Sequence, residues 1–282
     1  MYLNHFGLKE LPFGITPDTS YFFSGKVYQE ALNTLLLGVA SGEGFIKVTG
    51  EVGTGKTILC RKFIGSLDKR FRTAFLPNPL LESRTLLLAL AEDLGLQVEA
   101  DAEQHHLLKA LSRGLLDVAR QGKRAVLCID EAQAIPLETL EAVRLLTNLE
   151  TEKRKLLQIV LFGQPELDQR LELPEIRQLK QRITFHYTLQ PFSREDLAAY
   201  LSHRLSVAGY SGGPLFRRAT MNALYHTTGG IPRLVNVLGH KCLMAVYGEG
   251  GRQVKPRHVV DAARDTVAAR QPGWFMRLGW RA

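Results

Sequence analysis

Residues 45–57 of the chain read FIKVTGEVGTGKT, an apolar stretch that runs into a glycine-containing loop. The last eight residues match the pattern G-x-x-x-x-G-K-[ST], in which backbone N–H groups surround phosphate oxygens. The apolar residues 45–49 predict a strand before the loop, and a helix is predicted from Lys56 onward, so that its positive dipole end faces the phosphates. We therefore predict a nucleotide-binding loop made of Gly50, Glu51, Val52, Gly53, Thr54, Gly55, Lys56 and Thr57.

Four further apolar stretches alternate with helical patterns as far as residue 189. They lie at 73–76, 125–129, 156–162 and 183–189. Strands separated by helices are typical of a parallel sheet, so we predict an α/β fold with five parallel strands. The stretch at 183–189 alternates apolar and polar residues, which indicates a strand nearer an edge of the sheet.

Beyond residue 190 every predicted element is a helix. Ser193 with Asp196 predicts the start of the first of these helices through an N-cap. The prediction has three parts: an α/β nucleotide-binding domain with an N-terminal lead-in at 1–190, a smaller all-helical lid domain at 191–270, and a basic, tryptophan-containing tail at 271–282.

Polar residues stand where three of the predicted strands end. Lys56 is expected to reach the β- and γ-phosphates of ATP, and the Thr57 hydroxyl to hold Mg²⁺. Asp130 and Glu131 follow the strand at 125–129 directly, so that Asp130 can reach the Mg²⁺ ion and Glu131 can polarise an attacking water. Gln164 follows the next strand and is expected to point between the γ-phosphate and that water; a plain turn residue is the alternative.

Three arginines are candidates to complete the site. Arg182 ends a helical stretch before the fifth strand and could serve as an arginine finger towards a neighbouring subunit, with Arg177 as a second candidate. The alternative for Arg182 is a cation at a helix end, bound to the carbonyl dipole. Arg233 follows Pro232 at a predicted helix start, where a cation opposes the helix dipole, so we expect it to contact nucleotide phosphates.

Composition limits the class of protein. The chain has 282 residues and a net charge of +8, and seven basic residues against two acidic ones lie from Arg252 onward. Three cysteines without CxxC spacing argue against disulfides and zinc, and therefore for a reducing compartment. The opening is unlike a signal peptide, and no apolar stretch reaches the ~20 residues of a membrane-spanning helix.

Several short segments together resemble the ExeA/GspA/MshM group of AAA+ ATPases. They are YLNHFGL at 2–8, PF at 12–13, TPD at 16–18, GEVGTGKT at 50–57, IDEAQ at 129–133, FGQPEL at 162–167, QRI at 181–183 and GGIPRLVN at 229–236. The phosphate-loop pattern is shared by very many proteins, whereas the opening and FGQPEL are far more specific. The resemblance covers about residues 2–268 and implies an AAA+ fold with ATP hydrolase activity.

The resemblance also implies a role for each matching residue. Lys56 and Thr57 bind ATP and Mg²⁺, Asp130 and Glu131 form the Walker B pair, Gln164 is the sensor-1 candidate, Arg182 is the finger, and Arg233 is sensor 2. The lead-in would cover the adenine, with Phe13 and Pro17 near the base. One departure is Tyr28, where the group is expected to have histidine.

Partners follow from the same resemblance. It implies a cytoplasmic homo-oligomeric ring, such as a hexamer, that acts on inner-membrane components of a type IV pilus or type II secretion machine. By the resemblance, ExeA-like members continue into a membrane segment and a periplasmic domain. The sequence as given ends at Ala282 without either, so we expect it to be more similar to MshM, the ATPase of mannose-sensitive haemagglutinin pili.

The alternatives are a DNA-associated ATPase, such as a regulator of transposition target selection, and a nucleotide switch that does not hydrolyse ATP. The segment from Arg270 to Arg281, with Trp274, Trp280 and three arginines, is expected to touch anionic membrane, to fold back on the helical domain or to dock on a protein partner.

Overall fold

The computed structural model describes residues 2–99, 103–151 and 154–271. The predicted tail therefore lies outside the described residues, apart from Gln271. The strands are β1 Phe45–Gly50, β2 Phe71–Leu76, β3 Arg124–Ile129, β4 Glu150–Thr151, β5 Arg154–Lys155, β6 Leu157–Gly163 and β7 Ile183–Leu189. The helices are α1 Leu3–Phe6, α2 Lys26–Ser41, α3 Lys56–Ser66, α4 Ser83–Asp93, α5 Gln104–Arg120, α6 Leu137–Leu146, α7 Glu166–Leu171, α8 Arg177–Lys180, α9 Arg194–Val207, α10 Arg218–Thr228, α11 Pro232–Gly248 and α12 Pro256–Arg264.

Five parallel strands form the main sheet, as the apolar stretches predict. Their order is β2-β3-β6-β1-β7, so β6 lies between β3 and β1. All seven residues of β6 are buried, which agrees with its largely apolar sequence. Its one polar residue, Gln158, donates hydrogen bonds to the main-chain oxygens of Val39 and Glu43. In the register, Ile129 of β3 pairs with Leu161 and Thr49 of β1 pairs with Gly163. The carboxyl ends of β1, β3 and β6 therefore meet at one edge of the sheet.

The edge strand β7 has the alternating burial that its sequence predicts. It pairs with β1 on one side and ends the sheet on the other. A second, two-stranded antiparallel sheet joins β4 to β5 and was not predicted. Strands of two residues are too short to give a period-2 pattern, so the sequence carried no signal for this pair.

The described residues form two compact units. The sheet unit contains residues 29–52 and 56–189, and the helical unit contains residues 2–28, 53–55 and 190–271. This division differs from the predicted one, because the lead-in and the tip of the phosphate loop group with the helices rather than with the sheet. No helix within the described ranges is long and apolar enough to cross a membrane.

A buried arginine ties the lead-in to the helical unit. Arg204 of α9 is only 5% exposed, and its guanidinium donates hydrogen bonds to the main-chain oxygens of Pro12 and Gly14. The guanidinium also lies 4.1 Å from the centre of the Tyr21 ring, a cation–π arrangement. Asn236 of α11 donates a second hydrogen bond to the Gly14 oxygen, at 3.2 Å. These contacts with carbonyl oxygens and an aromatic ring satisfy the buried charge of Arg204.

Aromatic packing holds the same segment along α11. The Phe13 ring is buried and lies so close to Gly239 that a Cβ added there would be 3.0 Å from the ring. The Tyr2 hydroxyl and His240 Nδ1 are 2.8 Å apart, and burial raises the pKa of Tyr2 to about 12. Tyr2 is therefore a neutral phenol at physiological pH. The proline and glycine positions of the lead-in were visible in the sequence, whereas the helix on which its aromatic rings pack was not predicted.

Candidate nucleotide site

The phosphate loop in the sheet unit is built around Lys56. This residue begins α3 and is 5% exposed. Its Nζ donates to the main-chain oxygens of Gly50 at 2.7 Å and Glu51 at 3.0 Å. Burial lowers the pKa of Lys56, while the carboxylates of Glu131 and Asp130 act in the opposite direction. An ammonium held on two carbonyls is ready to transfer to phosphate oxygens, which are stronger acceptors.

The tip of the loop lies in the helical unit. Gly53 has φ +81° and Gly55 has φ +90°, which explains why the pattern has glycines there. The Arg233 N–H donates to the Gly53 oxygen at 3.1 Å, and a Cβ at Gly53 would lie 2.7 Å from the Cβ of Arg233. Arg233 thus lies in the first turn of α11, as predicted. Its N–H binds the loop tip, and its side chain is exposed. Its sensor role stays a prediction.

Tyr28 is a contact of the loop tip that the sequence did not assign. Its hydroxyl donates to the Thr54 oxygen at 2.6 Å, and both groups are buried. Burial raises the pKa of Tyr28, so the phenol keeps the proton that this hydrogen bond needs. The signal in the sequence was that Tyr28 stands where histidine is expected. The structure shows what this side chain does there: its hydroxyl donates to the loop tip.

Thr57 and Asp130 meet beside the loop in the sheet unit. The Thr57 hydroxyl donates to Asp130 Oδ2 at 2.6 Å, and Asp130 Oδ1 accepts from the Glu131 N–H at 3.0 Å. Hydroxyl and carboxylate oxygens are the hard ligands that Mg²⁺ prefers, so the pair fits that ion together with phosphate oxygens. Asp130 is 3% exposed. Its burial raises the pKa of the carboxyl, and the two hydrogen bonds only partly offset this effect.

Glu131 has an unusual backbone. Its φ of +50° and ψ of +37° place it in the left-handed region, and it is the one residue other than glycine with positive φ in the described part of the chain. Such a conformation costs on the order of 1–3 kcal/mol and is found mostly at functional sites. It turns the chain sharply from β3 into a short 3₁₀ turn at Ala132–Ala134. The strain is consistent with a residue kept for chemistry rather than for packing.

Two amide side chains bind the Glu131 carboxylate. Gln133 Nε2 donates to Glu131 Oε2 at 2.6 Å, and Gln164 Nε2 donates to the same oxygen at 3.1 Å. The structure thus brings Gln164 beside Glu131, although its predicted place between phosphate and water remains a prediction. Gln133, within IDEAQ, was not predicted as a site residue, because a glutamine two residues from an acid has no distinctive spacing.

Arg182 contacts the end of α6 in its own chain. Its Nη1 donates to the Thr147 hydroxyl and lies 3.4 Å from the main-chain oxygen of Arg144. Thr147 is the C-terminal cap residue of α6, so this contact corresponds to the helix-end alternative considered for Arg182. No described residue makes a hydrogen bond with Nη2. Arg177, the second finger candidate, is exposed in α8.

The two predicted adenine contacts lie in the lead-in. Phe13 is 2% exposed, and its ring makes an edge contact with Phe216 at a centroid distance of 5.9 Å. The ring therefore packs within the helical unit, and its predicted place near the adenine base stays a prediction. Pro17 is half-buried.

These features define a P-loop nucleotide site on a parallel sheet, and residues 39–171 match the family described as AAA domain. These residues thus carry an AAA domain. It is 41% identical over 273 residues to "General secretion pathway protein A" of Aeromonas hydrophila. That match covers 97% of this chain and 50% of the relative, so the chain spans about half the relative's length. The ExeA/GspA group is supported by this relative, and MshM is not singled out.

Solved structures similar to the chain share its fold. The ORC2 protein of Aeropyrum pernix, in ADPNP–ADP complexes, matches with a TM-score of 0.63 at 16% identity, over 87% of this chain and 68% of that chain. Cdc6p from Pyrobaculum aerophilum matches with a TM-score of 0.67 at 16% identity, over 88% and 71%. RuvB, a Holliday junction branch migration motor of Thermotoga maritima, matches with a TM-score of 0.56 at 13% identity, over 84% and 68%.

The raised pKa of Asp130 predicts a trade between stability and activity. Because burial penalises the ionised carboxylate, Asp130→Asn should raise the melting temperature of the ATP-free chain at pH 7 while abolishing Mg²⁺-dependent hydrolysis. The stabilisation should shrink as the pH falls through the raised pKa and should be lost below the ordinary value of about 3.9, where wild-type Asp130 is protonated in both states. Thermal unfolding between pH 4 and pH 7 measures this difference.

Asp68→Asn is the matched control for Asp130→Asn. Asp68 is exposed, and hydrogen bonds from the Arg70 side chain and N–H lower the pKa of its carboxyl, so there is no burial penalty to relieve. The control should therefore give no stabilisation at pH 7. Equal melting temperatures for wild type and Asp130→Asn across this pH range would contradict the prediction.

Proposed function

We propose that the chain is a Mg²⁺-dependent ATPase that drives or regulates the assembly of a type II secretion or type IV pilus machine. The observation that carries the ATPase part is the meeting of Lys56, Thr57, Asp130 and Glu131 where β1 and β3 end. A loop that only bound nucleotide would have no need of a carboxylate in a strained conformation beside the Mg²⁺ ligand pair.

Each residue has a distinct task in this proposal. Lys56 exchanges its two carbonyl acceptors for the β- and γ-phosphates of ATP. Thr57 and Asp130 hold Mg²⁺, which supplies positive charge against the phosphate oxygens when it is bound. Glu131 polarises the attacking water. Arg233 is proposed as sensor 2, because its backbone already binds Gly53 at the loop tip.

The cellular role rests on the likeness to the secretion protein. Identity of 41% over nearly the whole chain supports a related task for this ATPase. We extend the proposal to a homo-oligomeric ring, to inner-membrane partners of a secretion or pilus machine, and to contact of the tail at 271–282 with anionic membrane. The MshM-like pilus role is the narrower form of this proposal.

Two substitutions test the chemistry directly. Lys56→Ala should abolish ATP binding, because it removes the charge that neutralises the phosphates. Glu131→Gln should keep ATP binding and lower hydrolysis by about 10²-fold or more, because an amide cannot take up a proton from water. Phosphate release and fluorescent-nucleotide titration measure the two effects. The exposed Lys69→Ala is the control, and hydrolysis by Glu131→Gln at the wild-type rate would show that Glu131 is misassigned.

The finger proposal for Arg182 is tested against its helix-end contact. Arg182→Ala should leave ATP affinity nearly unchanged and lower turnover by about 10³-fold, with partial rescue when Lys56→Ala subunits are added. Thr147→Val removes the hydroxyl that Arg182 binds and keeps the guanidinium, so it should retain turnover. Equal loss of turnover in the two variants would mean that Arg182 only supports α6.

The net charge of +8 keeps a DNA-associated ATPase as the second candidate. The likeness to ORC2, Cdc6p and RuvB is too distant to carry more than the fold. Under the secretion proposal, duplex DNA should bind weakly at physiological salt. Filter binding across a salt series decides this point, because submicromolar affinity with a steep fall in log K against log salt would favour DNA as the partner.

A further inference from the structure

Gln133 uses both ends of its side-chain amide to join two strand ends. Its Nε2 donates to Glu131 Oε2 at 2.6 Å, after β3, and its Oε1 accepts from the Gln164 N–H at 3.0 Å, after β6. Its main-chain oxygen accepts a hydrogen bond from Arg170 of α7. The side chain therefore connects the glutamate proposed for hydrolysis with the loop that carries the sensor-1 candidate.

Gly163 lies beside this connection. A Cβ at Gly163 would lie 3.4 Å from Gln133 Oε1, an ordinary van der Waals contact, and 2.7 Å from Leu167 Cδ2. A larger residue at 163 would therefore displace the Leu167 side chain of α7, which lies next to the loop that Gln133 binds.

The contacts define the orientation of the Glu131 carboxylate. Both amides donate to Oε2, and no residue within the described ranges donates a hydrogen bond to Oε1. A glutamate side chain has three rotatable bonds, and here it extends from a left-handed backbone, so its carboxylate needs restraint to hold one direction. Two donors on one oxygen supply that restraint and leave Oε1 as the oxygen that can take a proton from water.

We propose that Gln133 is the positioning residue for Glu131 in ATP hydrolysis. It holds Oε2 with its Nε2 and, through its Oε1, keeps Gln164 within reach of the same carboxylate oxygen. This inference rests on the proposed ATPase function. Gln133 acts through Glu131, and it is assigned no contact with ATP.

Two substitutions at Gln133 separate its donor from its acceptor. Gln133→Leu removes both, whereas Gln133→Glu keeps the shape and the acceptor for the Gln164 N–H but replaces the donor with a second carboxylate. Both variants should lower kcat by about ten-fold or more, since a small displacement of a reacting group has an effect of this size. The KM for ATP, and the Kd from fluorescent-nucleotide titration, should stay within about two-fold of wild type, because no phosphate-binding group has changed.

Gln169→Leu is the matched control, because Gln169 is an exposed glutamine of α7, five residues after Gln164 in the sequence. It should have the wild-type kcat. Wild-type kcat in Gln133→Leu would overturn the inference, and so would a KM or Kd that worsens as much as kcat falls, because that would indicate general disruption of the site. If Gln133→Leu does not fold, as judged by its melting temperature, Gln133→Glu carries the test, and turnover at the wild-type rate would overturn the donor role.

A double substitution tests whether Gln133 acts through Glu131. In a Glu131→Gln chain, adding Gln133→Leu should lower the residual single-turnover rate by less than about two-fold, because the carboxylate to be positioned is already gone. A further ten-fold loss would overturn the inference. A separate measurement tests the ATPase function itself. Hydrolysis by Lys56→Ala at the wild-type rate would contradict the proposed ATPase site, independently of the result for Gln133.

Discussion

The parallel register of β1 and β3 on either side of β6 is the constraint on which the site depends. Because Thr49 pairs with Gly163 and Ile129 pairs with Leu161, the residues that follow three strands emerge at one edge. This arrangement brings Thr57 and Asp130 within hydrogen-bonding distance of each other, at 2.6 Å. The buried apolar strands therefore serve as a rigid support for a few polar groups placed immediately beyond them.

The polar groups at this edge are held at a thermodynamic disadvantage. Burial works against the charged forms of both Lys56 and Asp130, lowering the pKa of the first and raising that of the second. The left-handed backbone of Glu131 adds strain to the same small region. Burial and strain thus lower the stability of the nucleotide-free chain, and bound phosphate and Mg²⁺ are expected to offset these effects. Nucleotide binding and folding are therefore linked equilibria.

Patterns local in the chain predicted most of the fold and the central residues of the site. The five apolar stretches identified the sheet strands, and the phosphate-loop pattern with the acidic pair identified the residues that meet at its edge. Tyr28 and Gln133 were missed because their roles consist of contacts with distant backbone groups, which leave no periodicity or spacing. The grouping of residues 2–28 with the helices was missed for the same reason, since it depends on which helix the aromatic rings pack against.

The attachment of the lead-in through Arg204 determines which sequence changes this segment can accept. The guanidinium binds carbonyl oxygens of Pro12 and Gly14, and every residue type has such an oxygen. A Cβ at Gly14 would meet nothing within 4 Å, so side chains can be exchanged there without disturbing the attachment. Insertions or deletions would shift both carbonyls out of reach. Natural variation in this segment is therefore expected to alter the identity of its residues while preserving their number.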